Sequence, residues 1–277
     1  MASKSASWLG SSTWPMASDP QAASRTPSNV SSCYFCNRSI DVRPLRIDGS
    51  MRKIALIPAR GGSKRLPRKN IVDFQGMPII AHTIRAALET GMFDRVCVST
   101  EDDEISAVSR NAGAVVISRP PELATDTARM DAVIDHALDS EAAEGRRYDL
   151  LSYLYATAPL RNSDDIRAVV NLVKPEKCNF SMAVTEYDYP AYQALKMGED
   201  GLLTPMWPEI VNKRTQEVGQ LLVDNGSTYA ATVDQLLTVR TFYGPGLRGH
   251  VMPRDRSVDI DLPIHLEMAR FFAEKKT

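Results

Sequence analysis

The stretch IALIPARGGSKRLPRKNI, Ile54 to Ile71, decides how this chain is read. It opens with a short apolar run bounded by proline, the pattern of a buried strand. Two glycines and five cations follow, Arg60, Lys64, Arg65, Arg68 and Lys69, with no acid among them. Gly61 and Gly62 let the backbone come close to an anion and aim N–H groups at it. Lysine adds a point charge, and arginine grips phosphate through two nitrogens. A polyanion is the ligand these residue types suit. A solvated basic loop that only aids solubility leaves the glycines and the preceding strand without a reason. The spacing is neither Gly-x-x-x-x-Gly-Lys-Ser/Thr nor Gly-x-Gly-x-x-Gly, so this is not a Walker loop and dinucleotides are disfavoured.

The basic cluster is local. Over 277 residues the formal net charge is −1, with 43% hydrophobic and 24% charged residues. That is the balance of an ordinary globular protein and argues against a general nucleic-acid binder. An RNA-binding surface on the basic loop would also need interleaved aromatics to stack bases, and they are missing. No run nears the ~18 apolar residues of a membrane span. Four cysteines, Cys33, Cys36, Cys97 and Cys178, are too scattered for a disulfide framework and fit a reducing, cytoplasmic setting.

Working outward, residues 1–50 differ from the rest. Eleven serines and one acid, Asp19, fall in the first forty positions, without apolar periodicity. Such a segment cannot bury enough surface to offset its ordering entropy, and disorder is expected. It lacks the apolar core of a secretory signal. It fits either an organellar targeting segment or a start read upstream of a true start at Met51. Cys33 and Cys36 form a lone pair that cannot complete a tetrahedral zinc site.

From residue 51 to 277 a single domain is expected. KIALIP, RVCVST, AVVI, DLLSYLYA and NFSMAVTE read as strands. Between them PIIAHTIRAALETG, EDDEISAVSRNAG, ARMDAVIDHALDSEAAEG and NSDDIRAVVNLV read as helices. The first presents Ile80, Ile84 and Leu88 on one face and stops at Gly91; the last is capped by Asn162 or Ser163. Strands alternating with helices predict a doubly wound α/β core with a mostly parallel sheet. Residues 187–222 break the alternation with three prolines, aromatic clusters and a Gly-Glu-Asp-Gly turn. They predict a hairpin-bearing arm that covers a site or packs on another subunit. The core then resumes with STYAAT, RGHVMP and SVDID, and a helix from Pro263 closes the chain.

In open α/β sheets ligands sit at the carboxyl ends of the strands, which makes the loop after the first strand the prime site. Far along the chain, SVDIDLP sets Asp259 and Asp261 two apart, on one side of an extended segment. Two such carboxylates suit a hard divalent ion that also holds phosphate oxygens. Other polar residues read as structural. His82 and His136 are packing or surface residues, Cys97 is a buried strand residue, and Asp102, Asp103 and Glu104 favour a helix N-terminus.

IPARGGSKRLPRKNI resembles the signature of the acylneuraminate cytidylyltransferases, which make CMP-activated nonulosonic sugars. RPPELATD (Arg119–Asp126), ATAPLR (Ala156–Arg161) and DID before a closing helix follow in that family's order, so the resemblance spans about Lys53 to Lys275. It implies a nucleotide-diphospho-sugar transferase-like fold, a homodimer, Mg²⁺ and CTP. Arg60, Gly61, Gly62, Ser63 and Lys64 would contact CTP. Lys69 and Asn70 would hold its phosphates and orient the α-phosphorus, with Arg119 on the cytosine side. Asp259 and Asp261 would hold Mg²⁺; Lys69, Asp261 and Arg60 would be the catalytic set. Asp261 or water on the metal would take the proton of the attacking hydroxyl. Tyr155, Thr157, Asp224 and Asn225 would face the sugar.

Sialic-acid members read QPTSPLR where this chain has YATAPLR, Tyr155 to Arg161. KRLPRKNI, YATAP and WPE (Trp207–Glu209) resemble the pseudaminic acid branch, whereas DNGSTY (Asp224–Tyr229) resembles the sialate and legionaminate branches. His265 stands where many members carry a further acid. Trp207 and Tyr192 suit a cover over the sugar or a dimer contact. The alternatives are activation of 3-deoxy-manno-octulosonate, which the long GGSKRLPRKN element disfavours, and a non-catalytic nucleotide-binding module. No nucleic-acid or membrane partner is expected.

Overall fold

The computed structural model describes residues 50–175, 177–187 and 189–275, so the readings of residues 1–49, Cys33 and Cys36 included, lie outside the described residues. In chain order the elements begin with β1 (Lys53–Pro58), a short hairpin of β2 (Asp73–Phe74) and β3 (Met77–Pro78), and α1 (Ile79–Glu89). Then come β4 (Arg95–Thr100), α2 (Asp103–Asn111), β5 (Val115–Ser118), α3 (Met130–Ala143), β6 (Leu150–Leu154), α4 (Ser163–Leu172) and β7 (Phe180–Glu186). The arm carries β8 (Leu195–Met197), β9 (Leu203–Pro205) and α5 (Thr215–Val218). The chain returns through β10 (Leu222–Thr232), α6 (Val233–Val239), β11 (Arg248–Val251) and α7 (Pro263–Glu274).

Seven strands form one sheet in the order β11-β7-β10-β6-β1-β4-β5. All neighbours run parallel except β10, which is antiparallel to β6 and β7. β1 is central, and its alternate side chains part between two cores. Ala55 and Ile57 pack with Ile80, Ile84, Ile166 and Val169 on one face; Ile54 and Leu56 pack with Ile134, Leu236 and Phe242 on the other. Each fully buried aliphatic side chain here contributes roughly 1.5–3 kcal/mol. Leu88 departs from its predicted role and is 45% exposed. Gly91, at φ +63, ends α1 as expected.

Asn162 rather than Ser163 caps α4, in a reciprocal box with Asp165, and Asp102 caps α2 by accepting from the Ile105 N–H at 2.9 Å. SVDID does not join the sheet. Val258 and Ile260 enter a third core with Phe74, Ile79, Leu266 and Ala269, and the Ile260 N–H donates to the Thr157 carbonyl at 2.9 Å. Alternation turns Asp259 and Asp261 to the opposite side. Proline at the first turn then starts α7. The helix α6 carried no clear signal: its seven residues are too few to show a period. Among the described residues no helix is long and apolar enough to cross a membrane.

Candidate active site

β1, β4, β5 and β6 are parallel, so the loops after them share one sheet edge and enclose a cleft. Its lining includes Arg60, Lys64, Lys69, Arg119, Tyr155 and Asp261.

The cations of the first loop are not left without acids. Arg60 and Lys64 both reach Asp126, at 2.7 and 2.5 Å, and Arg65 and Lys69 both reach Asp261, at 2.8 and 2.7 Å. Arg68 donates to Asp102 at 2.5 and 3.0 Å and also pairs with Glu104. The stretch carries no acid of its own, and the fold brings its acids from three distant segments. Arg68, at φ +56 in the left-handed region, faces α2 and acts as an internal clamp.

The loop's backbone is equally constrained. A Cβ on Gly61 would sit 2.4 Å from Asp102 Oδ2, so a larger residue there would have to push aside the carboxylate that caps α2 and pairs with Arg68. Its N–H donates to Glu101 Oε1 at 2.7 Å and is not free for an anion, contrary to the sequence reading. Gly62 is exposed, with open space where a Cβ would stand. The Ser63 N–H closes the turn on the Gly61 carbonyl at 2.9 Å. Asn70 is buried and donates from Nδ2 to the Arg60 carbonyl at 2.9 Å, stapling the two ends of the loop.

Arg119 is buried beneath the cleft and donates to the carbonyls of Ser99 and Leu123 at 2.9 and 3.3 Å. Burial pulls its guanidinium below its usual value, and Glu101 opposes this. Tyr155 lies half-buried, edge-on to Tyr153 and Tyr229 with centroids 5.3 and 5.9 Å away. Thr157 has a different occupation from the sugar contact expected of it. Its hydroxyl donates to Asp259 Oδ1 at 2.5 Å. Asp224 accepts from the Tyr229 and Tyr243 hydroxyls, each at 2.8 Å. Asn225 is buried, with its amide committed to Ser257 and Met252, and is not among the cleft's lining residues.

Burial pushes the Asp259 carboxyl up, the Asp261 charge adds to this, and the Thr157 hydrogen bond opposes it. Burial acts the same way on Asp261, but the hydrogen bond and charge of Lys69, with Arg65, outweigh it and hold that carboxyl below its usual value. The donors are hard carboxylate oxygens without a thiolate, and among the described residues no group of three potential metal ligands forms. Two carboxylates with the rest left to water and phosphate is the donor set that suits Mg²⁺. His265 supplies no third ligand in this arrangement; its Nδ1 accepts the Asp261 N–H at 3.2 Å.

Arg161, quoted in the sequence only as part of a motif, holds this edge together. It is buried and donates to the Ser227 carbonyl at 2.6 Å, to Thr83 Oγ1 at 2.7 Å and to the Tyr155 carbonyl at 3.3 Å. Burial pulls its guanidinium down to about 10. Asp126 lines the cleft, and Glu101 braces it from behind through Gly61 and Arg119; no local pattern in the sequence marks either role. Tyr192 is buried inside the arm against Thr215, and Trp207 does not line the cleft. His82 packs edge-on to Phe74 at 5.2 Å, and burial pushes the Cys97 thiol up to about 12, so both are structural.

Comparison with known proteins finds a family model described as cytidylyltransferase matching residues 54–191. The chain is 35% identical over 221 residues to the pseudaminic acid cytidylyltransferase of Campylobacter jejuni subsp. jejuni serotype O:2, covering 79% of this chain and 95% of that protein. It is 32% identical over 224 residues to the N-acylneuraminate cytidylyltransferase of Escherichia coli O18:K1:H7, covering 80% of this chain and 52% of that protein. Among solved structures, a CMP:2-keto-3-deoxy-manno-octonic acid synthetase complexed with CTP superposes with a TM-score of 0.60 at 19% identity, covering 82% of this chain and all of that one. That likeness is one of fold.

Proposed function

Because the chain belongs to the cytidylyltransferase family, we propose that it transfers CMP from CTP to the anomeric hydroxyl of a nine-carbon acidic sugar, pseudaminic acid, and releases pyrophosphate. The observation that carries this is Lys69 Nζ standing 2.7 Å from Asp261 Oδ1, which joins the basic loop to the Asp-x-Asp segment at the cleft. The choice of sugar rests on the Campylobacter relative and on Tyr155, where sialic-acid members have glutamine.

In the reaction the anomeric oxygen forms a bond to the α-phosphorus, the bond to the β-phosphate oxygen breaks, and the hydroxyl proton is lost. Little covalent work falls to the protein; positioning and charge neutralisation dominate. Arg60, Lys64 and Lys69 exchange their carboxylate partners for phosphate oxygens, and Gly62 gives the triphosphate room. Arg65 lies beside Asp261 and joins them. Asp261, freed from Lys69, is placed to accept the hydroxyl proton. Asp259 and Asp261 would hold Mg²⁺, which would supply charge stabilisation to the phosphates. Tyr155 offers the sugar an aromatic wall and Asp224 an acceptor. Thr157 orients Asp259, and Asn225 keeps only a structural role. The arm at 187–222 carries the homodimer contact, and the buried free thiols Cys97 and Cys178 suit a reducing cytoplasm.

The test is pyrophosphate release with CTP and Mg²⁺ in separate wells containing pseudaminate, legionaminate, N-acetylneuraminate or 3-deoxy-manno-octulosonate. Release with pseudaminate alone is expected. Release only with the eight-carbon sugar would overturn the substrate class, and silence in all four from protein that binds CTP would overturn the reaction.

A further inference from the structure

The acidic run after β4 divides its work. Asp102 caps α2, whereas Glu101 lies outside that helix, at the first position after the strand. Its Oε1 accepts the Gly61 N–H at 2.7 Å. Its Oε2 is buried, has no hydrogen-bond partner, and lies 3.6 Å from Arg119 Nη2. The carboxylate thus stands between the loop after β1 and the loop after β5, which form two walls of the cleft. Arg119 continues the link, since it also donates to the Leu123 carbonyl in the turn leading to Asp126.

We propose that Glu101 is a positioning residue for the nucleotide site: it fixes the glycine turn against Arg119 and so sets where Arg60, Ser63 and Lys64 meet the triphosphate. The inference rests on the reading of the cleft as a CTP site. In this partly buried setting the Gly61 N–H is more strongly bonded than in water, and what it needs is an acceptor oxygen at that reach. Gly61 lies one residue after Arg60 and two before Ser63, so movement of its N–H displaces both neighbours. A Cβ at position 61 would press on the Asp102 carboxylate, so glycine leaves that side of the turn without a side-chain contact and Glu101 holds it through the N–H. A purely structural role, neutralising Arg119, would need only the charge; positioning needs the acceptor oxygen at its present reach.

Glu101→Gln separates the two. It keeps an oxygen for the Gly61 N–H and removes the charge. Glu101→Ala removes both, and Glu101→Asp keeps the charge but draws the oxygen back by one methylene. Calorimetric titration with CTP and Mg²⁺, alongside a thermal melt, is the first readout. CTP Kd is expected to rise at least tenfold for Glu101→Ala and for Glu101→Asp and to stay within about threefold for Glu101→Gln. Hydrogen exchange across residues 59–66 without nucleotide is the second. It is expected to accelerate in the alanine and aspartate variants and remain near wild type in the glutamine variant. If all variants bind CTP like wild type, or if glutamine falls as far as alanine in both readouts, the inference is overturned. If wild type fails to bind CTP, the functional reading falls, while the exchange data still decide whether Glu101 holds the turn. Should alanine prevent folding, the aspartate and glutamine pair carries the test.

Discussion

The basic loop at 54–71 and the arm at 187–222 solve opposite problems. In the loop all five cations find carboxylates within the chain, on Asp102, Glu104, Asp126 and Asp261. In the arm the apolar side chains find little: Met197 and Leu202 are each 68% exposed, and Leu195, Leu203 and Met206 are about half exposed. The Asp126 carboxylate is exposed and water screens its ion pairs, so exchanging it for a phosphate costs little. Burying a large apolar side chain contributes roughly 1.5–3 kcal/mol, so the arm gains most by meeting another surface. One region is paired internally, whereas the other leaves its apolar side chains exposed.

The largest effects should come from the exchange side of that contrast. Asp261→Ala and Lys69→Ala are each expected to lower turnover by at least about tenfold, equivalent to 1.4 kcal/mol of barrier. Wild-type rates in steady-state assays of both variants would remove these residues from the catalytic set. On the arm, Leu203→Glu puts a charge on the face expected to be buried between copies. Sedimentation should show its dimer dissociating at a concentration at least tenfold higher than wild type, with CTP binding unchanged; an undisturbed dimer would move the interface elsewhere. Thr157→Val leaves Asp259 with a buried oxygen short of a donor, a loss of about 0.5–1.5 kcal/mol in orientation. Turnover should drop about three- to tenfold and half-saturating Mg²⁺ should rise; if only thermal stability changed, Thr157 would be a packing residue. Asp126→Asn should act in the opposite sense and most weakly. Without its carboxylate, Arg60 and Lys64 stand free, so CTP Kd should fall about twofold at low salt, and the gain should fade as salt screens it. A weaker Kd in calorimetry would mean that Asp126 helps to hold the nucleotide.

What the sequence made legible was local. β1, its glycines and its cations lie within eighteen positions, and the Val-Asp-Ile-Asp alternation displays its own facing. The helix caps Asp102 and Asn162 sit next to the turns they satisfy. The hairpin in the arm followed from its Gly-Glu-Asp-Gly turn. What stayed hidden depends on contacts between distant segments. The partner of Arg65 is 196 positions away and that of Lys69 is 192, and no local pattern announces a carboxylate brought by the sheet. Thr157 could be seen to lie at the cleft, but not that its hydroxyl would turn to Asp259. Asn225 sat in a promising motif and was drawn into the interior by Ser257 and Met252. SVDID had the alternation of a strand but lacks a neighbouring strand to pair with, which only the sheet order reveals.

A crystal structure with CTP and Mg²⁺ tests most directly the claim that ligand phosphates replace the loop's internal carboxylates. Arg60, Lys64 and Lys69 are expected to leave Asp126 and Asp261 for phosphate oxygens, while the Arg68–Asp102 clamp and the Gly61–Glu101 bond persist. Intact Arg60–Asp126 and Lys69–Asp261 pairs, with nucleotide bound elsewhere, would contradict it.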